Sequence, residues 1–80
     1  MKIKVLFFGI TTDLVGASQI QIGVEENTSI YNFKRLMKEK HPQLENINSY
    51  AIAVNETYAN DDFLLKEGDV VAVIPPVSGG

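Results

Sequence analysis

The stretch that decides the fold is Val70-Val71-Ala72-Val73-Ile74, near the end of an 80-residue chain. Every position in it is apolar, and it is bounded by the turn-forming pair Gly68-Asp69 and by the prolines Pro75-Pro76. A strand that is apolar on both faces is typical of the centre of a sheet. We therefore predict that this stretch is a central strand.

The first strand is predicted to be the parallel neighbour of this central strand. Residues 2–8 alternate in polarity, with Ile3, Val5 and Phe7 on one face. Residues 18–24 alternate in the same way, and the short connection, with a helical turn around residues 13–15, predicts an antiparallel hairpin. The N-terminal hairpin and the last strand would then form the middle of one sheet.

One long helix is predicted over Ile30–Lys40. Ser29 or Thr28 can cap its start, and Pro42 ends it because proline disfavours helix at the residue before it. Apolar side chains recur along one side of this helix. They predict a buried stripe of Ile30, Phe33, Leu36 and Met37.

Two further strands complete the predicted sheet. They cover residues 50–54 and 57–59 and are joined by a tight turn at Asn55-Glu56. Residues 43–49 are expected to be a polar loop, and Phe63-Leu64-Leu65 an apolar plug for the core. Because one helix cannot cover both faces of a four- to five-stranded mixed sheet, the predicted class is α+β with the helix on one face. The domain would span residues 1–74, and residues 75–80 would form an extended C-terminal tail.

Length and composition exclude several classes of protein. A chain of 80 residues makes one small domain, and its net charge of −3 argues against a binder of nucleic acid that works through phosphate attraction. With no cysteine, it can form no disulfide, thiolate metal site or cysteine nucleophile. The apolar run at residues 5–10 is too short for a signal peptide or a membrane span, so we expect a cytoplasmic protein with no membrane partner.

The same alternation predicts an apolar surface on the side of the sheet that the helix leaves uncovered. The predicted partner-binding patch consists of Leu6, Phe8, Tyr58, Ala72 and Ile74. An apolar patch on a small monomer usually marks a partner site. The alternative is that the loop at 43–49, or the plug around Leu64, covers this surface.

The C-terminal tail, Pro75-Pro76-Val77-Ser78-Gly79-Gly80, is the second candidate functional feature. The prolines hold it extended, so that it can reach roughly 20 Å beyond the sheet. Glycine leaves the terminal carbonyl unhindered. Such a carboxylate can be activated as an acyl-adenylate, from which a sulfur or amine nucleophile displaces AMP. Since no cysteine is present, sulfur could be carried only on this carboxylate.

No other group indicates catalysis or metal binding. His41 lies beside Pro42 at a helix end, and the paired acids Glu25-Glu26 and Asp61-Asp62 lack metal-ligand spacing. The basic residues of the helix are best interpreted as a solvated face: Lys34, Arg35, Lys38 and Lys40. We expect no metal site in this chain.

Five stretches of the chain carry a family resemblance. They are Lys4-Val5-Leu6-Phe7-Phe8, Leu14-Val15-Gly16, Ala53-Val54-Asn55-Glu56-Thr57, Gly68-Asp69-Val70-Val71 and the whole tail from Pro75 to Gly80. In these the chain resembles the small, ubiquitin-like sulfur-carrier subunits of molybdopterin synthase. It departs from the family at Thr12-Asp13, where an arginine–glutamate pair is frequent, and in the apolar residues at Tyr58 and Ile74.

The resemblance implies a ubiquitin-like β-grasp fold and a chemical role for the terminus. Gly80, preceded by Gly79, would be adenylated by an E1-like activating enzyme that consumes ATP, and a persulfide sulfur donor would convert it to a thiocarboxylate. The tail would then enter the large subunit of molybdopterin synthase and give its sulfur to cyclic pyranopterin monophosphate, in two rounds that build the dithiolene.

The resemblance also implies a division of labour. Two small subunits would assemble with two large ones as a heterotetramer, the acid–base side chains would lie on the large subunit, and no cofactor would be permanently bound. Two alternatives stay open: a sulfur carrier for thiamine or tRNA thiolation, and a ubiquitin-like modifier or binding module.

Overall fold

In the computed structural model, which describes residues 1–46 and 50–76, five strands form a single mixed sheet. The strands are β1 Lys2–Phe7, β2 Gln19–Gly23, β3 Ala51–Val54, β4 Thr57–Tyr58 and β5 Val70–Ile74. Their order across the sheet is β2-β1-β5-β3-β4. β5 is therefore the central strand, as its apolar composition predicts.

The pairing of β1 with β5 is the parallel one that the sequence predicts. Phe7 lies opposite Val73, and Lys4 lies opposite Val70. The pairs β1–β2, β3–β5 and β3–β4 are antiparallel. Because β1 and β5 run in the same direction, their last residues lie side by side at the same end of the sheet.

In the described part of the chain three helices accompany the sheet: α1 Ile10–Val15, α2 Ile30–Lys40 and a 3-10 helix at Pro42–Asn46. At the start of α2 the Ser29 hydroxyl accepts a hydrogen bond from the Asn32 amide at 3.1 Å, which confirms the predicted cap. The His41 amide donates to the Met37 carbonyl at 2.7 Å, and Pro42 follows. No helix among residues 1–46 and 50–76 combines the length and apolar character needed to cross a bilayer.

The hydrophobic core lies between α2 and one face of the sheet. Three side chains of the predicted helix stripe are fully buried: Ile30, Phe33 and Met37. They meet the strand residues Ile3, Val5, Phe7, Ile52, Val54, Val71 and Val73. Leu36 lies at the edge of the core and is only half-buried, because it is the stripe residue nearest the flank of the helix.

The apolar plug is smaller than the sequence predicts. Leu65 is buried in the core, but Phe63 and Leu64 remain exposed. Backbone hydrogen bonds explain this, since the Ile30 amide donates to the Phe63 carbonyl at 2.9 Å and the Leu65 amide donates to the Thr28 carbonyl at 2.8 Å. The segment is fixed along the start of α2, and only one of its three side chains points inward.

The prediction of a polar loop over residues 43–49 is wrong for its first part, which belongs to the 3-10 helix. Leu44 is buried in the core there, and Pro42 supplies the restricted backbone with which a helix can begin. Residues 47–49 lie outside the described part of the chain. Beside this helix the His41 ring packs edge-on to Phe7, with ring centroids 6.1 Å apart, so His41 contributes to packing.

The predicted turn between β3 and β4 is present, with positive φ at Asn55 (50°) and Glu56 (72°). The Asn55 side-chain amide donates to Asp69 Oδ1 at 2.9 Å, and the Asn55 Oδ1 atom accepts from the Val70 amide at 3.0 Å. Asp69 Oδ2 also accepts from the Lys66 amide at 2.8 Å. This network holds the hairpin turn against the start of the central strand.

Candidate functional site

The sheet has one covered face and one open face, which alternate along each strand. We call the side opposite α2 the open face. In β5, Val71 and Val73 are buried beneath α2, whereas Ala72 and Ile74 are half-buried on the open face. Alternation alone predicts this division, and the structure places Leu6 of β1 on the open face as well.

Strand register assembles the open face into a row that crosses the whole sheet. The residues in this row, from edge to edge, are Gln19, Leu6, Ala72, Ala53 and Tyr58. One step along the strands, Ile74 lies opposite Ala51. The structure thus brings together Leu6, Ala72, Ile74 and Tyr58, whose role in binding a partner stays a prediction.

Exposure is uneven within this surface. Tyr58 is 71% exposed on the short edge strand β4, whereas Ala53 beside it is only 6% exposed. The small alanines occupy the middle of the row and the larger side chains flank them. A partner that binds this row would therefore first contact the larger apolar side chains on either side of the alanines, which suits contact with a complementary side chain.

Phe8 is held at the end of β1 by two threonines of the following helix, α1. The Thr11 hydroxyl donates to the Phe8 carbonyl and accepts from the Phe8 amide at 2.9 Å. The Thr12 hydroxyl donates to the Phe7 carbonyl at 3.0 Å. Thr11 is completely buried, while the Phe8 side chain remains 47% exposed. The backbone here is fixed and the aromatic ring is available.

The root of the tail lies against this same corner. Gly9 has φ of 55°, a conformation that favours glycine, and a Cβ atom built there would lie 3.2 Å from Pro75 Cγ. Pro75 is half-buried and Pro76 is exposed. The predicted tail residues Val77, Ser78, Gly79 and Gly80 lie outside the described part of the chain.

Neither alternative cover lies over the open face in the described residues. Leu44 of the 3-10 helix and Leu65 of the predicted plug both join the core on the α2 side. Phe63 and Leu64 are exposed. The described residues of the 43–49 segment and of the plug therefore lie on the covered side of the sheet.

Sequence reasoning missed four residues of this site. Ala51 and Ala53 lie on the open face, and their alternation with Ile52 and Val54 could have identified them. Gly9 and Thr11 shape the corner, but their roles depend on the parallel register and on a buried hydroxyl. No pattern in the sequence marks those contacts.

The titratable groups of the described residues form no reaction centre. Among residues 1–46 and 50–76 no cluster of His, Cys, Asp and Glu could hold a metal ion. Burial raises the pKa of the Tyr50 phenol, on the core side of β3. On α2, Lys34 pairs with Asp61 and Lys38 with Glu45, each at 2.9 Å and each partly exposed to solvent.

The model of the ThiS family matches residues 5–80. The molybdopterin synthase sulfur carrier subunit of Caenorhabditis elegans is 40% identical over 83 residues, an alignment that covers 100% of this chain and 99% of the relative. The likeness thus extends over the whole length of both proteins.

Two solved structures are similar to this chain in fold. SAMP1 from Haloferax volcanii has a TM-score of 0.87 at 20% identity, and the match covers 100% of both chains. A chain in the protein–protein complex of subunits 1 and 2 of molybdopterin-converting factor from Helicobacter pylori has a TM-score of 0.71 at 30% identity, again over 100% of both. These likenesses confirm the ubiquitin-like β-grasp fold.

Proposed function

Because the chain belongs to the ThiS family, we propose that it is the sulfur-carrier subunit of a molybdopterin synthase. The relative from Caenorhabditis elegans that bears this name matches it from end to end. The chain also ends in Gly79-Gly80, behind the spacer Pro75-Pro76-Val77-Ser78. In this function the terminal carboxylate is the reactive group, and the folded domain is its carrier.

One observation of the structure carries the proposal. Pro75 leaves the central strand at the corner formed by Phe8 and Gly9, beside the open face. The terminus and the surface that would dock a partner therefore start from the same place. A partner that binds the open face is then within reach of the tail, roughly 20 Å long when extended.

The first half of the proposed chemistry loads sulfur onto the terminus. A carboxylate oxygen of Gly80 attacks the α-phosphorus of ATP on an E1-like activating enzyme, and pyrophosphate leaves. The terminal sulfur of a persulfide donor then attacks the acyl carbon and displaces AMP. A thiol cleaves the resulting acyl disulfide by exchange, which leaves a thiocarboxylate on Gly80 and a disulfide on the donor side.

The second half delivers the sulfur. The thiocarboxylate enters the large subunit, where its sulfur attacks a carbon of cyclic pyranopterin monophosphate and displaces a carbon-bound oxygen, so that a thioester links Gly80 to the pterin. The displaced oxygen leaves as the opened phosphate ester in one round and as water in the other. Hydrolysis of the thioester returns the Gly80 carboxylate and leaves the sulfur on the pterin, and two such rounds build the dithiolene. The chain is a reactant in each round, so we place the acid–base groups on the large subunit.

The likeness to the Helicobacter pylori complex supports a large-subunit partner, because that complex joins subunits 1 and 2. We assign the open face, through Leu6, Phe8, Tyr58, Ala72 and Ile74, to this contact. These residues are apolar, and in the described structure Phe8 and Tyr58 are exposed while the other three are half-buried. The proposed assembly has two small and two large subunits.

Deletion of Gly80 tests the role of the terminus. We expect no sulfur transfer in a reconstituted reaction with the activating enzyme, a persulfide donor and the large subunit, while the free energy of unfolding stays within about 0.5 kcal/mol of the intact chain. A variant with one glycine added after Gly80 is the matched control, since it also displaces the carboxylate but removes no residue. Transfer that survives the deletion would disprove the proposal.

Purification of the native complex separates this function from its rivals. A molybdopterin synthase large subunit is expected to accompany the chain. Recovery of a thiazole synthase, or of a tRNA-thiolating enzyme, would assign the carrier to another pathway. Recovery of proteins joined to Gly80 through isopeptide bonds would indicate a ubiquitin-like modifier.

A further inference from the structure

Strand β2 forms one edge of the sheet, and its outer side has no partner among the described elements. The Phe7 amide donates to the Ser18 carbonyl at 2.9 Å, and the Val24 amide donates to the Met1 carbonyl at 2.8 Å. In an antiparallel pair such inward-pointing residues recur at every second position. The backbone groups of Gln19, Gln21 and Gly23 therefore point outward.

The two edges of the sheet differ in how well they are protected. At the far edge, β4 has only two residues, and a very short edge strand offers little to pair with. β2 has five residues, Gln19-Ile20-Gln21-Ile22-Gly23, with neither a charged side chain nor a proline. Charges and prolines are the usual devices that prevent edge pairing. β2 is therefore open to an added strand.

The register of β2 is complementary to itself. If a second β2 is placed antiparallel with Gln21 on the two-fold axis, Gln21 lies opposite Gln21 and Gln19 lies opposite Gly23. All of these residues direct their amides and carbonyls outward, so that each finds a partner across the axis. No like charges meet, because the segment is uncharged.

The side chains of β2 are compatible with the same arrangement. Ile20 and Ile22 lie opposite Val5 and Ile3 on the covered face, yet both remain half-buried. A groove between this edge and α2 is lined in part by Val24, Asn32 and Leu36. An added β2 would bring its own two isoleucines to this side of the sheet and bury apolar surface that one copy leaves in water.

We propose that two copies of this chain associate through β2, as an isologous dimer with one continuous sheet. The contact is small and uses few side chains, so the association is weak and depends on protein concentration. It is independent of the proposed function. Ala72 and Tyr58 of each copy lie on strands away from the β2 edge. Leu6 lies next to β2, but on the opposite side of the sheet from the isoleucines of β2. All three side chains therefore stay free in the dimer.

Substitutions at Gln21 test the proposal by sedimentation equilibrium over a series of concentrations. Gln21→Lys places two positive charges at the axis, and Gln21→Pro removes an outward amide that the β1 ladder does not use. We expect the full chain to approach the mass of a dimer at high concentration and both variants to remain monomeric. A mixture of Gln21→Lys with Gln21→Glu should associate again.

Gln43→Lys is the matched control, since it makes the same change at an exposed position on the 3-10 helix and should dimerise as the unaltered chain does. A chain that stays monomeric at all concentrations would overturn the proposal. So would a dimer that Gln21→Lys and Gln21→Pro leave intact. If the chain is monomeric and Gln21→Pro weakens binding of the large subunit, the edge serves a different partner and the dimer is wrong.

Discussion

The covered and open faces of the sheet are made by the same strands, but adjacent residues serve different purposes. Val71 and Val73 of β5 are completely buried against α2, while Ala72 and Ile74 between and beyond them stay half in water. Burial of apolar surface on one side stabilises the domain, and the other side keeps the apolar surface that we propose for a partner. Stability and recognition can therefore be changed separately at neighbouring positions.

The largest effect on stability is expected on the covered face. Phe33→Ala removes a fully buried ring and leaves a cavity, which should lower the free energy of unfolding by about 3–5 kcal/mol. Tyr31→Ala, on the solvent side of the same helix, is the matched control and should cost about 1 kcal/mol or less. Urea denaturation measures both. Equal losses would mean that α2 does not separate core from surface as described.

The largest effect on binding is expected on the open face. Phe8→Asp should weaken binding of the large subunit by about 2 kcal/mol, or roughly 30-fold, because it puts a charge into an apolar contact. Ile74→Asp should act in the same direction. Titration calorimetry gives the affinities, and a thermal unfolding curve shows whether each variant remains folded.

Leu64→Asp is the control for this experiment. Leu64 is 48% exposed, which matches Phe8 at 47%, but it lies beside Ser29 at the start of α2, on the other side of the sheet from the open face. The control should bind with unchanged affinity. Normal binding by both Phe8→Asp and Ile74→Asp would remove the open face from the account, and weakened binding by Leu64→Asp would place the contact elsewhere.

A smaller effect is expected at high pH, at the rim of the covered face. Because burial raises the pKa of Tyr50 above its ordinary value of 10.0, the unfolded chain loses this proton at a lower pH than the folded domain does. The free energy of unfolding should be unaffected by Tyr50 below about pH 10 and should fall as pH rises toward the raised pKa.

Tyr50→Phe removes the ionisable group and should reduce this alkaline loss. Tyr58→Phe, which removes an exposed hydroxyl from the open face, serves as the control and should retain it. Urea denaturation at a series of pH values above and below 10 measures the difference. An alkaline loss that is the same in all three proteins would show that Tyr50 is not the cause.

Local signals were sufficient for much of the fold. The cap at Ser29 and the break at Pro42 gave α2 its observed limits, and the turn at Gly68 and the pair Pro75-Pro76 did the same for β5. Period-two alternation also separated the two faces of the central strands. These features depend on neighbours in the chain, which is why a single sequence reveals them.

Other features depend on contacts between distant residues. The 3-10 helix has a single apolar residue, Leu44, and so shows no periodicity. In an irregular segment, nothing in the sequence tells which of Phe63, Leu64 and Leu65 turns inward. The contact of Gly9 with Pro75 exists only because the parallel strands β1 and β5 finish side by side at the same end of the sheet.

The intact mass of the protein, purified from cells that are making the cofactor, tests the central claim most directly. We predict a fraction heavier by the difference between one sulfur and one oxygen atom, and fragmentation that assigns the exchange to Gly80. The Gly80-deleted chain from the same cells should show no such species. An unmodified Gly80 carboxylate throughout, in cells with active cofactor synthesis, would contradict the proposal that this chain carries sulfur.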